Sequence, residues 1–329
     1  MITNNLAGNG RDIKAEIQRK VNMQVYPDYY KKFKCIASKC KHNCCIGWEI
    51  DIDEDTLSYY NCVEGAFGNR LKDNIELCNT PHFKLSANER CPFLNEKNLC
   101  DIITELGEDK LCTICSEHPR FHNELPDRIE SGLGLCCEEA CRIILSQKEK
   151  TVLISNEEMT TNDEIILLRD KIIKVLQNRD KNIDERLDDM LSLCGTTANY
   201  IDIKKLCNTL LDLEMLDKKW GELLCMLKDN IDQIDTYAFD TYMTQRQHEY
   251  EQFCVYLIYR HFANSPDMYE AQSRACFVKL AYSLLYHLGA VIYTKKGNFD
   301  LCDQVEIARM FSSEIEYSDE NLYTLFDIA

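Results

Sequence analysis

The chain has 329 residues, 19 of them cysteine, and an odd count excludes complete pairing within the molecule. A formal charge of −17, from 38 Lys and Arg against 55 Asp and Glu, excludes the basic footprint of a nucleic-acid binder. Residues 1–20 carry six charged side chains and no apolar run, so no secretory leader is expected and a cytoplasmic, reducing setting is. The thiols then need another account, as metal or cluster ligands, reactive groups or small buried hydrophobes.

In chain order, the first recognisable element is Trp48–Asp53, whose apolar and polar residues alternate as in a short strand, with Asp53 or Asp55 placed to cap a helix. Phe83–Leu85 and Cys91–Leu94 flank turn-like sequence, and Leu94–Leu99 suggests a tight hairpin. A short helix is expected within Ile102–Leu111, broken at Gly107. Arg128–Ser131 reads as a strand, and a helix starts at Glu138 with acids in its first turn, as the helix dipole prefers.

Beyond residue 150 the apolar spacing is helical almost throughout. It covers Glu164–Leu176, then Leu187, Met190, Leu191 and Cys194 behind an Asp184 cap. It continues with Ile203, Leu206, Leu210, Leu213 and Leu216, then Leu223, Leu224 and Leu227, then Phe253, Leu257 and Ile258, and finally Phe277–Val291. The apolar run Leu280–Thr294 is too short to span a bilayer and contains His287, so a buried core helix is expected and no membrane partner. The expected fold is mainly α. A Cys-rich domain (1–150) would carry short strands and turns around a metal centre, followed by an acidic, all-helical domain (151–329). Charge follows the same division, with 20 basic and 24 acidic residues in 1–150 and 18 against 31 in 151–329.

Thirteen of the cysteines lie between Cys35 and Cys141. The densest group is Cys35, Cys40, Cys44 and Cys45, ringed by Lys31, Lys32, Lys34, Lys39 and Lys41, a field that favours thiolates. Structural zinc sites use two evenly spaced pairs, and this spacing fits them poorly. Iron–sulfur clusters accept irregular thiolate spacing, so a 4Fe-4S cluster is preferred and zinc is the alternative. Cys112-x2-Cys115 is a further half-site or redox pair, with His118 a fallback ligand. Cys62, Cys78 and the six scattered cysteines of the helical half read as structural. No Gly-rich turn stands between a strand and a helix, which argues against a Rossmann-type nucleotide site.

A set of motifs resembles the flagellin lysine-N-methylases and their Cys-rich zinc- or iron-chelating relatives. They are Phe33-x-Cys35-x4-Cys40-x3-Cys44-Cys45-x-Gly47-Trp48, Cys91-Pro-Phe-Leu94, Leu99-Cys100-x-Ile102, Leu106-Gly107-Glu108, Cys115-x2-His118-Pro119-Arg120 and Cys137-x-Glu139-Ala140-x-Arg142. The resemblance runs along about 120 residues of the Cys-rich half and reaches the helical half only in general character. It implies that Cys35, Cys40, Cys44, Cys45, Cys91, Cys100, Cys115 and Cys137 are the candidate ligands, with Cys112, Cys136 and Cys141 as extras. It also implies an iron–sulfur cluster, S-adenosylmethionine as methyl donor and a lysine of flagellin, or of another lysine-bearing protein, as acceptor. In that setting Arg120 and Arg142 are candidates for holding a carboxylate, against a role in ion pairs. Trp48 is a candidate for stacking on the cofactor, against a place in the core. Glu139 is a candidate base for the lysine ammonium, against a role at its helix N-terminus. A non-catalytic zinc or iron module and a thiol redox sensor are the alternatives.

Overall fold

A computed structural model describes residues 23–199 and 201–329; the polar leader and Gly8–Gly10 lie outside the described residues. The chain runs through β1 (Gln24–Pro27), α1 (Glu54–Cys62), α2 (Gly65–Asp73), β2 (Ile75–Glu76), β3 (His82–Phe83), α3 (Asp101–Leu106) and α4 (Thr113–Glu117). Next come β4 (Arg120–Leu125), β5 (Arg128–Leu133), α5 (Glu138–Leu145), β6 (Leu153–Ser155), α6 (Glu164–Leu176), α7 (Ile183–Leu193), α8 (Ile203–Asp212) and α9 (Lys218–Asn230). It ends with α10 (Thr236–Met243), α11 (Gln247–His261), α12 (Met268–Lys296), α13 (Leu301–Phe311) and α14 (Asp319–Ile328).

Two units result, and they do not follow a cut at residue 150. The larger joins residues up to Phe33, His122–Cys136 and Ala140–Ala329; the smaller holds Lys34–Phe121 and Cys137–Glu139. The reason lies in strand pairing. Within the larger unit a four-stranded sheet has the order β4-β5-β1-β6, with β1 parallel to β5 and antiparallel to β6. The strand at the start of the described chain is therefore held by strands more than a hundred residues later. β6 also departs from the all-helical expectation for the second half, which otherwise holds.

The helices of the larger unit centre on α11, buried from Glu249 to Tyr259, and on α12, a 29-residue helix. Helix α12 is long and apolar enough to cross a membrane, but 78% of its apolar window is buried within the protein. Gly289 on this helix sits against Phe239 and Phe299, where a Cβ would stand 3.0 Å from the Phe239 ring. Charges inside this unit are paired. Arg169 grips Glu130 with two bonds of 2.5 and 2.8 Å, and Glu251 accepts from Arg179 and Arg186. A π-helical turn, Ser312–Glu316, buries Glu316, which accepts from Tyr256 at 3.0 Å, meets His261 Nε2 at 2.7 Å and pairs with Arg260.

Several expected boundaries moved. Asn182, not Asp184, caps α7, because it forms a reciprocal capping box with Glu185. Helix α8 stops at Asp212, leaving Leu213 extended and Leu216 exposed. Trp48–Asp53 buries Ile50 and Ile52 as alternation predicts, yet pairs through a single bridge, Asp51 with His82, and forms no strand. Cys194, Cys207, Cys254 and Cys276 are buried as expected, whereas Cys62, Cys78, Cys225 and Cys302 are exposed.

Candidate metal centre

The smaller unit packs Ile50, Ile52, Tyr60, Leu71, Phe83, Phe93 and Ile102, among other apolar residues, into a core that also takes in sulfur: Cys91 and Cys112 are buried in it, and Cys45, Cys100 and Cys115 pack against it. Local hydrogen bonds explain how distant cysteines arrive there. Residues 46–47 are laid along residues 89–90 by a bridge between Ile46 and Arg90 and by the Gly47 N–H donating to Glu89 O (3.0 Å). The next bond, Cys91 N–H to Cys45 O at 2.8 Å, sets Cys45 beside Cys91. Gly47 has φ of +95°, which a side chain would strain.

A tight turn then folds back. Leu94 N–H donates to Cys91 O (3.0 Å), Leu94 bridges Cys100, and Asp101 N–H donates to Phe93 O (2.8 Å). The hairpin expected at Leu94–Leu99 is this turn. Arg70 on α2 locks it, donating to Asp101 (2.7 Å) and to Pro92 O (2.6 Å) while lying over the Phe93 ring. Cys112 and Cys115 are delivered by α4. Its N-terminus is fixed by Asp53, which caps α1 through Thr56 N–H (2.9 Å) and also accepts from Thr113 N–H (2.8 Å) and Thr113 Oγ1 (3.0 Å).

The five sulfurs influence one another electrically. Burial raises the Cys91 thiol to about 11, helped by charge on Cys100 and Cys112, and raises Cys100 as well. The thiols of Cys112 and Cys115 share a hydrogen bond that lowers the first and raises the second, and Cys115 also feels Cys45 and Cys91. Cys45 is raised by a bond shared with Cys44, then by burial, then by Cys44, Cys91 and Cys100. The Tyr60 phenol, bonded to Lys110 O at 2.8 Å, is raised by burial and by Cys112, Cys115 and Cys100. Five thiols in an apolar pocket resist joint ionisation unless a cation neutralises them.

A second thiol group lies beside the first. Cys40 donates to His42 O (3.2 Å) and to Glu138 (3.7 Å), and Glu138 also accepts from Lys41 N–H (2.8 Å). Burial raises Cys40 to about 12, with Glu138, Cys137 and Cys44 adding to it. Cys35 is exposed and accepts from Ala37 N–H. Of the eight candidate ligands, then, Cys45, Cys91, Cys100 and Cys115 share one core, Cys40, Cys44 and Cys137 gather next to it, and Cys35 stands outside. Cys112 was set among the extras and joins the core; its two-residue spacing from Cys115 was the available signal.

Trp48 is half-exposed, its indole N–H donating to Cys44 O at 2.8 Å. Arg120 donates to Ser116 O at 3.2 Å, and Glu139 sits in the first turn of α5. Arg142 is exposed on α5 and belongs to the larger unit. Burial pushes the His118 imidazole down to about 4, leaving it neutral. Among the described residues no three His, Cys, Asp or Glu side chains already surround one point closely enough for a single metal ion. A four-iron cluster takes its thiolates at separate corners, so a group of five thiols, with Asp53 and Asp101 nearby, suits it by donor chemistry.

A family model for the "FliB lysine N-methylase C-terminal domain" matches residues 199–329. A Salmonella muenchen protein named "Flagellar biosynthetic protein FliU" is 34% identical over 134 residues, covering 39% of this chain and 79% of the relative. The chain belongs to the flagellin lysine-N-methylase family. Two proteins named lysine-N-methylase, from Salmonella choleraesuis and Salmonella typhimurium, are 33% and 32% identical over the same length, and the match spans a third of each. No solved structure matches. The family model corrects one expectation: it falls on the helical half, which was read as similar only in general character, so family identity is also written in apolar helices that carry no compact motif.

Proposed function

We propose that the chain is a protein-lysine N-methyltransferase that uses S-adenosylmethionine, acts on flagellin or another lysine-bearing protein, and carries a 4Fe-4S cluster on the thiols of its smaller unit. The observation that carries the reading is the convergence of four of the eight family-type cysteines, with Cys112, on one apolar core in a member of a lysine-N-methylase family. The ligands we propose are Cys45, Cys91, Cys100 and Cys115, with Cys112 able to replace one of them.

The chemistry asks little of the protein beyond placement. The lysine amine, once neutral, attacks the sulfonium methyl in line; an N–C bond forms, the S–C bond breaks and S-adenosylhomocysteine leaves. A carboxylate such as Glu139 takes the ammonium proton, Arg120 or Arg142 holds the amino-acid carboxylate of the donor, and Trp48 offers an aromatic face to the sulfonium. When bound, the cluster supplies cationic charge that ionises the thiols and ties four chain segments together.

The test is anaerobic purification, assay of iron, sulfide and zinc, then incubation with S-adenosylmethionine and flagellin under mass spectrometry. Stoichiometric iron and sulfide with lysine mass gains of whole methyl groups is the expected result. A colourless zinc protein overturns the cluster, and an intact cluster with no methyl gain on cognate flagellin overturns the activity. A second reading, a thiol redox sensor, draws on the hydrogen-bonded pairs Cys44–Cys45 and Cys112–Cys115. Reversible disulfides in iron-free protein would favour it.

A further inference from the structure

On the outer face of the smaller unit, apart from the core thiols, a cysteine and a histidine are brought together. Residues 50–52 are laid along residues 81–83, Ile52 N–H donating to Pro81 O (2.8 Å) and Phe83 N–H to Ile50 O (3.1 Å), while β2 pairs with β3. Ile50, Ile52, Ile75 and Phe83 point into the core, so the residues beside them face outward by alternation. His82 stands on that outer face between Asp51 and Glu76, its cross-strand partners on the two sides. The preceding turn curls back, so that Cys78 Sγ lies 3.6 Å from His82 Nδ1. Thr80 O lies 3.1 Å from that sulfur and 3.0 Å from that nitrogen. At the opposite side of the ring, His82 Nε2 is 3.6 Å from Glu49 Oε2.

This is the spacing of one thiolate and one imidazole on a single metal ion. Zinc holds sulfur at about 2.3 Å and imidazole nitrogen at about 2.0–2.1 Å, and a tetrahedral angle then sets the two donors about 3.5 Å apart. The Thr80 carbonyl, in reach of both, supplies a third donor, and water completes the sphere, so the site needs two side chains rather than three. The carboxylate behind the ring has its own part. A metal-bound histidine commonly donates its other N–H to a carboxylate, which fixes the tautomer, and Glu49 stands where that acceptor belongs. Sulfur with imidazole selects a thiophilic ion over Mg2+ or Ca2+. Cys78 is exposed, so an ion reaches it from solvent, and the exposed acids Glu49 and Asp51 make the approach favourable to a cation.

We propose that Cys78, His82 and the Thr80 carbonyl bind a zinc ion on the surface of the smaller unit, with Glu49 positioning the imidazole. On binding, Cys78 loses its proton to solvent and gives its thiolate to the ion, and His82 binds through Nδ1 with its own proton on Nε2, toward Glu49. The site stands whether or not the core thiols hold a cluster.

The full chain, treated anaerobically with EDTA and then freed of it, is pulsed with iodoacetamide with and without an excess of Zn2+, and peptide mass spectrometry reads alkylation cysteine by cysteine. Cys62, exposed on α1 in the same unit, is the internal control. Zn2+ slows alkylation of Cys78 several-fold and leaves Cys62 unchanged, whereas Mg2+ slows neither. His82→Gln keeps Cys78 reactive and abolishes its protection, and Glu49→Gln raises the Zn2+ concentration needed by ~10-fold or more. Circular dichroism melts check that each variant folds. Equal alkylation of wild-type Cys78 with and without Zn2+ overturns the site, and so does protection that survives His82→Gln.

Discussion

Asp53 ties the N-termini of two helices with one carboxylate, and its removal gives a sharp test of how the thiol core is held. Through one oxygen it caps α1 at Thr56 N–H, and through the other it accepts from Thr56 Oγ1, Thr113 N–H and Thr113 Oγ1. Loss of an N-cap costs about 1 kcal/mol, and a hydrogen bond to a charged group about 1.5–3 kcal/mol. The site is partly open to water, so the second figure is screened, and Asp53→Ala should cost about 2 kcal/mol in all. Burial pushes the carboxyl up, but the N–H groups of Thr113 and Thr56 and the two hydroxyls outweigh this and hold it at about 2, below the ordinary 3.8. A depressed folded value means the unfolded state binds more protons in that window. The stabilisation is whole above the unfolded value and drains away as pH falls from about 3.8 toward about 2. Urea unfolding of wild type, Asp53→Ala and Asp53→Asn at pH 7 and across the acid range measures both parts. Asp53→Asn keeps an acceptor, so its deficit should shrink toward zero near pH 2. A deficit for Asp53→Ala under ~0.5 kcal/mol at pH 7, or one for Asp53→Asn that does not change with pH, refutes the clamp.

Iron and sulfide assays should find the cluster lost in Cys45→Ala, Cys91→Ala and Cys100→Ala and retained in Cys35→Ala and Cys254→Ala; equal content in all five removes the proposed ligand set. Gly68→Ala should destabilise the smaller unit by more than about 2 kcal/mol, because a Cβ there would lie 2.0 Å from the Val63 carbonyl oxygen, and a urea midpoint equal to wild type would show that the α1–α2 approach is looser than described. Glu316→Gln leaves Arg260 without its buried counter-charge, weakens the acceptor facing His261, and should cost about 3–5 kcal/mol in chemical unfolding. Glu316 is held below the ordinary carboxylate range because Arg260 and His261 outweigh its burial. Its contribution is therefore present at neutral pH and is lost on acidification through that lowered value, which an acid titration of wild type against Glu316→Gln reads directly.

The helices were legible because their signal is local. Glu164–Leu176 has the bounds its apolar spacing gave, and Gly107, with φ of +105°, ends α3 where a helix break was expected. Of the sheet, β5 was legible as the strand expected at Arg128–Ser131, but the pairing was not, since β1 is four residues long and its partners lie in β5 and β6, a pairing that no local pattern encodes. At the thiols, closeness in sequence is not closeness in space. Cys35 and Cys45 share one dense run, yet the turn at Ala37–Lys39 leaves Cys35 in solvent, while Cys45 is drawn to Cys91 by a backbone bond. Arg70 and Asp53, which fix the cysteine-bearing segments, carried no cluster-like signal at all.

The burial of α11 bears on how this protein can be dissected. The segment matched by the family model begins at residue 199, and α11 lies inside it, but much of what satisfies that helix lies earlier. Tyr259 donates to Val25 O and Ser131 O, Tyr256 Oη accepts from Leu135 N–H, and Gln252 is met by Thr151, Gln147 O and Glu149 O. Expressed alone, residues 199–329 would present these hydroxyls and amides, and the apolar flank around them, to water. A recombinant fragment cut at the family boundary should thus be aggregation-prone, whereas one that keeps β1, the part of β4 from His122 onward, β5, β6 and the α-helices of the larger unit, and replaces Lys34–Phe121 by a linker, retains every one of those partners.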